Sequence, residues 1–279
     1  FYYKELIMKL LKFIFLVIML VNLLFASTNT FFDQFKYAYD RSKPFPLVSL
    51  QQSSFNLTMA YQLQAKWAEF LNESYEVIGY KSDLISVSSQ KKYNVNSPVS
   101  GVLFSDHIYQ NFDIIKKSGF QSPSLEIEIG FYINKTLTKP IKSRSALRSI
   151  IGEIVCVVDI PDINVENRKS LSLVDLVSIN LGSKGLILGE PLSLSVLDRP
   201  FAISMTHNKK EIQSFDYENL LDIQLDYLMW LVDHLIETKG KIDKGSLLVT
   251  GGLNENVELK KGQYIINFGD ASSILFKVI

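Results

Sequence analysis

The run Leu125-Glu126-Ile127-Glu128-Ile129-Gly130-Phe131-Tyr132-Ile133 constrains this chain more than any other stretch. Its residues alternate with a period of two: Glu126, Glu128, Gly130 and Tyr132 fall on one face, and Ile127, Ile129, Phe131 and Ile133 on the other. That pattern is a β-strand with one face committed to an apolar core. The two glutamates point the same way, roughly 7 Å apart along the strand, a separation one cation can bridge. Turned outward, they are the wet side of an edge strand. Turned inward, mutual repulsion and desolvation raise their pKa values, and a bound cation is one of the few ways of keeping both ionised. Periodicity alone leaves both arrangements open.

Other segments share this period. SLLVTG, QYIINFG and ILFKVI near the end of the chain are short strands between glycines and turn residues. Two segments follow a helical period instead. Phe55 to Asn72 places Ala60, Gln64, Trp67 and Leu71 on one side, with Ser53, Ser54 or Asn56 as cap. Tyr217 to Lys239 carries the stripe Leu221, Leu225, Leu228, Leu231 and Leu235, and Gly240 stops it. Strands that are not regularly interleaved with helices argue against a doubly wound parallel sheet. The expected class is α+β, a β-rich mixed sandwich or roll with peripheral helices. GLNENVELKKG reads as a polar hairpin loop rather than part of a site.

With 47% hydrophobic and 21% charged residues the chain has ample material for a large core. Lys plus Arg and Asp plus Glu balance at 29 each, so no overall field attracts a polyanion and nucleic acid is not an expected partner. Cys156, the single cysteine, sits among Ile154, Val155, Val157 and Val158 and reads as an ordinary buried thiol. His107, His207 and His234 show no metal-ligand spacing and read as surface or satisfied histidines. There is no Gly-x-Ser-x-Gly elbow, phosphate loop or dinucleotide fingerprint.

From Met8 the chain reads MKLLKFIFLVIMLVNLLFAST, with Lys9 and Lys12 before an apolar run from Phe13 to Ala26, the layout of a secretory signal. Residues 1–27 are therefore expected to be an export signal, with residues 1–7 an upstream extension. Residues 28–279 follow as a single domain without linker or repeat. The product is expected in the periplasm or outside the cell, and at a membrane only if the segment stays uncleaved as an anchor.

Several separated pieces, in order, resemble one family. AYQLQ (Ala60 to Gln64) is similar to the helix opening of the bacterial 2-keto-4-pentenoate hydratases and 4-oxalocrotonate decarboxylases, within the fumarylacetoacetase-like superfamily. GYKSDLIS (Gly79 to Ser86) resembles their Gly-aromatic-Lys strand, and SPVSGVLFSD their Pro-x-x-Gly-x-Leu loop. LEIEIGF matches their Glu-x-Glu metal strand. VVDIPD (Val157 to Asp162) is similar to the segment bearing the third metal ligand, DLVSINLGSKGLILG to their Asp-x-x-x-x-Asn block, and SLLVTGG to their Thr-Gly.

The resemblance implies a roll of the fumarylacetoacetase C-terminal type holding Mg²⁺ or Mn²⁺ on Glu126, Glu128 and Asp159. Asp159 stands where typical hydratases have Glu, as in other branches of the superfamily. The implied reaction is hydration or decarboxylation of a small 2-oxo or 2-hydroxy-dienoic acid through a metal-bound enolate, in a homo-oligomer. Lys81 is implied in proton transfer or in pairing the substrate carboxylate, and a closed site between Tyr80 and Leu84 is expected to lower its pKa towards the working range. Asn180 and Ser183 are implied as substrate-binding residues, with a turn role before Gly182 and Gly185 as the alternative.

Two departures matter. Val99 follows Pro98 where the hydratases carry an acid–base Asp, and valine cannot move a proton. The Gly-x-Pro loop that often precedes the family's late Trp-Leu pair is missing before Trp230 and Leu231. Two further functions follow. One is carbon–carbon hydrolysis of an acylpyruvate, which the lack of any His before Phe55 counts against. The other is a secreted, non-catalytic binding protein on the same fold.

Overall fold

The alternating runs assemble into two mixed sheets packed back to back. The computed structural model describes residues 2–279, apart from the side chains of residues 2–6, 8 and 15–27. The larger sheet contains β1 (Val77–Asp83), β2 (Val99–Phe104), β3 (Ile108–Gln110), β5 (Ser124–Ile133), β6 (Ile151–Ile160), β7 (Gly185–Leu192), β10 (Leu247–Gly251) and β11 (Val257–Glu258). Its order is β2-β1-β10-β5-β6-β7-β3, with β11 also paired to β5, and it curls into a half-barrel. The smaller sheet contains β4 (Ile114–Ile115), β8 (Phe201–His207), β9 (Lys210–Tyr217), β12 (Gly262–Phe268) and β13 (Ser272–Val278), in the order β4-β13-β12-β8-β9.

The apolar face of β5 lies between the sheets, as its periodicity requires. Ile127, Ile129, Phe131 and Ile133 pack in one core with Met205, Tyr264, Ile266 and Phe276 of the smaller sheet. Leu221, Leu225, Leu228 and Leu235 of α7 (Leu220–Lys239) join the same core. α7 ends where expected, at Gly240, whose φ of 75° closes the helix. It begins three residues later than the periodicity suggests, because Tyr217 is the last residue of β9 and its hydroxyl donates to the Leu253 carbonyl at 2.5 Å. Short α5 (Arg144–Arg148) rides on α7 through Arg144, which pairs with Asp226.

A second core covers the β2 edge. It joins Phe31 and Phe35 of α1 (Tyr2–Asp40), Leu63 and Trp67 of α3 (Leu57–Asn72), and Leu176 and Val177 of α6 (Leu173–Ser178) to Val102 and Phe104. α3 is capped by Asn56, one of the three candidates, whose side chain accepts from the Met59 amide. Asp175 closes a capping box on α6 and also accepts from the Ser49 amide and hydroxyl, tying α2 (Val48–Gln51) to α6. The remaining helix, α4 (Val87–Lys92), lies in the connection between β1 and β2. Residues 1–27, read as an export signal, lie largely outside the described side chains. Among the described residues no helix is long and apolar enough to cross a membrane.

The open edge of β2 is closed by side chains. Asn180 accepts from the Val102 amide at 2.7 Å and donates to the Val102 carbonyl at 2.8 Å, doing the work of an adjacent strand. Gln64 donates to the Ser100 and Val177 carbonyls at 2.8 and 3.1 Å. Asn180 holds this place with φ at 55°, a conformation Asn tolerates better than most residues. Asn180→Ala is therefore expected to leave a buried amide and carbonyl unpaired and to destabilise the fold by about 2 kcal/mol, readable as a lower urea midpoint.

Candidate metal centre

The inner face of the half-barrel answers which way the glutamates turn. Leu103, Val155, Val157, Leu186, Leu247 and Val249 make its apolar floor. Glu128, Asp159 and Lys81 are buried on it, at 2%, 0% and 1% exposure. Asp159 is the cross-strand partner of Glu126 in the β5–β6 register, so the period of two and the pairing together bring three carboxylates to one place. One oxygen from each of Glu126, Glu128 and Asp159 lies within 4.8 Å of the others.

Glycine makes room for this cluster. β10 pairs with β5 so that Gly251 stands opposite Glu128. A Cβ on Gly251 would lie 1.7 Å from Glu128 Oε1, so the glutamate can lie across β10 only because this residue has no side chain.

Lys81 reaches the cluster from β1. Strands β1 and β6 are separated by β10 and β5, about 14 Å in a flat sheet at ordinary spacing, too far for Lys and Asp side chains to meet. The curl closes the distance, and Lys81 Nζ lies 2.5 Å from Asp159 Oδ2. Burial acts to lower the pKa of Lys81, but the charges of Asp159, Glu128, Glu126 and Asp83 outweigh it and raise it above the ordinary lysine value. The expected lowering is thus overturned, because the site around Lys81 is acidic rather than apolar.

The carboxylates are perturbed in the opposite sense to an ordinary ion pair. Burial raises all three pKa values. The Asp83 charge adds to it at Glu126, which is pushed up to about 8, and the Asp159 charge adds to it at Glu128. Two buried oxygens, Glu128 Oε2 and Asp159 Oδ1, have no hydrogen-bond partner. Buried orphan oxygens beside a third carboxylate are the donor set of a hard divalent cation such as Mg²⁺ or Mn²⁺, which would both pair them and hold them ionised.

Three contributors escape a reading by sequence motif. The segment from Gly252 to Glu258 is no isolated hairpin loop: it runs along β5 and enters β11. Leu253 N donates to the Ile127 carbonyl at 3.0 Å, and Asn254 accepts from the Ile127 amide at 2.6 Å. This lays Asn256 on the site, donating to Glu126 Oε1 at 2.9 Å and to Ser124 Oγ at 3.1 Å. Asp83, two residues after Lys81 and on the same face, was legible from the strand period alone. Tyr93, just after α4, is raised by burial and by the Asp83 charge, with Arg168 acting against them.

Asn180 and Ser183 lie elsewhere. The Asn180 amide is engaged on the β2 backbone. Both residues line a cavity of about 450 Å³ with Asp106, His107 and Lys184, and none of the three carboxylates borders it. His107 departs from the satisfied histidine expected: its Nδ1 is buried without a partner, and burial pushes its pKa down to about 4. His207 stacks on Tyr264 and His234 on Trp230. Burial pushes the Cys156 thiol up to about 12, as an inert core residue requires.

No family model matches the chain. It is similar to 2-keto-4-pentenoate hydratase 1 of Dechloromonas aromatica (strain RCB), 26% identical over 195 residues that span 69% of this chain and 74% of that protein. It is also similar to 2-oxo-hept-4-ene-1,7-dioate hydratase of Escherichia coli, 22% identical over 236 residues, 81% of this chain and 88% of that protein. Among solved structures, 4-oxalocrotonate decarboxylase from Pseudomonas putida G7, complexed with magnesium and adipate, superposes with a TM-score of 0.83 at 19% identity, covering 90% of this chain and 97% of that one. The resemblance drawn from the motifs holds in these relatives, and the expected fold is that of the decarboxylase.

Two outcomes follow for the centre. Gly251→Ala is expected to displace Glu128 and weaken Mn²⁺ binding at least about tenfold in a calorimetric titration, as loss of a ligand does. Binding is also expected to release protons and to weaken by about tenfold per pH unit for each proton displaced as pH falls below about 8. Glu126 is raised from 4.5 to about 8, so the chelator-stripped protein is fully stable with respect to this group below 4.5 and loses that stability as pH rises through about 8. Added Mn²⁺ should restore it, measured as the melting midpoint against pH.

Proposed function

We propose that the protein is a metal-dependent lyase, a hydratase or decarboxylase, acting on a small 2-oxo or 2-hydroxy-dienoic acid. The observation that carries this reading is the trio of half-buried Glu126 with buried Glu128 and Asp159, with two orphan oxygens, beside the buried cation of Lys81. A divalent cation held there supplies the positive charge that stabilises an enolate when a proton or CO₂ leaves the substrate. The names of the relatives and the decarboxylase-like fold support the same class.

The chain's own residues then divide the work. Glu126, Glu128 and Asp159 would hold the cation. Asn256 fixes the rotamer of Glu126 by its hydrogen bond to Oε1, and Lys81 fixes Asp159. When a carboxylate substrate enters, the Lys81 ammonium is the charge available to pair it. The apolar floor of the half-barrel keeps bulk water from the reacting carbon. Asn180 and Ser183 act on the substrate only indirectly in this reading, by holding the β2 edge and the turn before Gly185.

Residues 1–27 are proposed as an export segment, cleaved or retained as an anchor, ahead of one domain over residues 28–279. The support is the pair Lys9 and Lys12 followed by the apolar run to Ala26, and the entry of α1 into the core from Phe31 onward. N-terminal sequencing of protein recovered from cell fractions separates the two fates; recovery of the whole chain in the cytosol would reject both.

A panel of 2-oxo and 2-hydroxy-dienoic acids, assayed by ultraviolet absorbance and CO₂ release with Mg²⁺ or Mn²⁺, tests the function. Turnover is expected with metal and is expected to fall at least about a hundredfold in Glu126→Gln. Metal binding without turnover of any member would instead support a binding protein on this fold.

A further inference from the structure

The residues that β1 and β2 present to the inner face are few. They are Gly79, Lys81 and Asp83 on β1 and, by strand alternation, their register partners Leu103, Gly101 and Val99 on β2, with Val99 at the strand end also packed into the second core. Of these six, Lys81 and Asp83 alone can carry a proton. Lys81 is already engaged, its Nζ lying 2.5 Å from Asp159 Oδ2.

Asp83 is differently placed. One carboxylate oxygen, Oδ1, accepts from the Leu84 amide at 2.5 Å, while Oδ2 has no hydrogen bond or ion pair among the described residues. Asp83 lies outside the group of three carboxylates within 4.8 Å, so it is no member of the ligand set. It is still close enough that its charge is the strongest of the side-chain charges acting on Glu126, and it acts on Lys81, Glu128 and Asp159 as well. The chain turns sharply behind it: Leu84 has φ at 56°, an uncommon conformation for a non-glycine residue that keeps Asp83 at the strand end. Directly opposite stands Val99, buried and without polar atoms, its Cβ about 5 Å from that of Asp83 in ordinary antiparallel geometry.

We propose that Asp83 is the proton-carrying group of this site. The assignment rests on the lyase reading above. In the protonation step, the electron pair of the enolate forms the new carbon–hydrogen bond, the oxygen–hydrogen bond of the Asp83 carboxyl breaks, and the carboxylate left behind takes a proton from water. In the reverse sense the Asp83 carboxylate removes the proton from carbon. Lys81 and the three-carboxylate cluster bind, while Asp83 moves the proton, which separates two tasks that a single lysine would otherwise have to combine.

The register supplies the test. Because positions 83 and 99 face each other, a carboxylate moved from one to the other stays on the same face and near the same place. The experiment measures exchange of the carbon-bound protons of 2-oxobutyrate with deuterium in D₂O by proton NMR, with Mn²⁺ affinity measured in parallel by calorimetry. Asp83→Asn is expected to lower exchange at least about a hundredfold while Mn²⁺ affinity stays within about threefold of wild type. Asp83→Val is expected to be equally slow, and the double variant Asp83→Val, Val99→Asp to regain at least about tenfold over it. Exchange by Asp83→Asn at the wild-type rate, or loss of Mn²⁺ binding in that variant, overturns the assignment and leaves the lyase reading standing. A wild-type protein that binds Mn²⁺ but exchanges nothing overturns the lyase reading, and this assignment with it.

Discussion

Two buried carboxylates and a half-buried third, gathered at one place, cannot all stay charged unaided. At the inner face of this half-barrel, desolvation and mutual repulsion push Glu126, Glu128 and Asp159 towards their neutral forms, and positive charge reverses the push. Lys81 supplies part of it from within the chain. Its single charge is too little for three carboxylates, and two oxygens stay unpaired. Most of the architecture around the site serves to hold this arrangement together: the curl that brings β1 to β6, the glycine that lets Glu128 lie flat, and the asparagine that fixes Glu126.

The two faces of β5 have different tasks. The isoleucines and Phe131 are buried between the sheets and supply much of the hydrophobic stabilisation. On the other face of the same strand Glu128 is buried and Glu126 half-buried, at an electrostatic cost that the rest of the fold has to offset. A strand with both faces covered is well suited to this, because its register is strongly specified and a slip of one residue would exchange the two faces. The cap on the β2 edge belongs to the same scheme. Asn180 and Gln64 fix the strand beside Lys81, so the position of the lysine is set by hydrogen bonds to β2, three strands away from β5.

The helical stripes, the Gly240 stop and the alternation of the Glu126–Glu128 strand were legible in the sequence because each depends on spacing within one segment, and the α3 cap was narrowed to Ser53, Ser54 or Asn56. The trio of candidate ligands was legible only through resemblance, since periodicity could not tell a wet glutamate face from a buried one. Asn256 was hidden in a polar segment that looked like a surface loop. Its role depends on that segment pairing with β5, a contact between residues 130 positions apart. The pKa of Lys81 was read with the wrong sign because the flanking residues are apolar, whereas the groups that determine it arrive from β5 and β6.

By itself, then, the sequence determined which residues share a face and where α3 and α7 end, because strand and helix periods are local properties of the backbone. Tertiary structure decided that this face is the inside of a curled sheet, that Asp159 is paired by a lysine from three strands away, and that Asn180 serves the sheet edge rather than the ligand centre. The reason is that electrostatics in a buried site is set by which strands the fold brings together, and strand order is not written in any one strand.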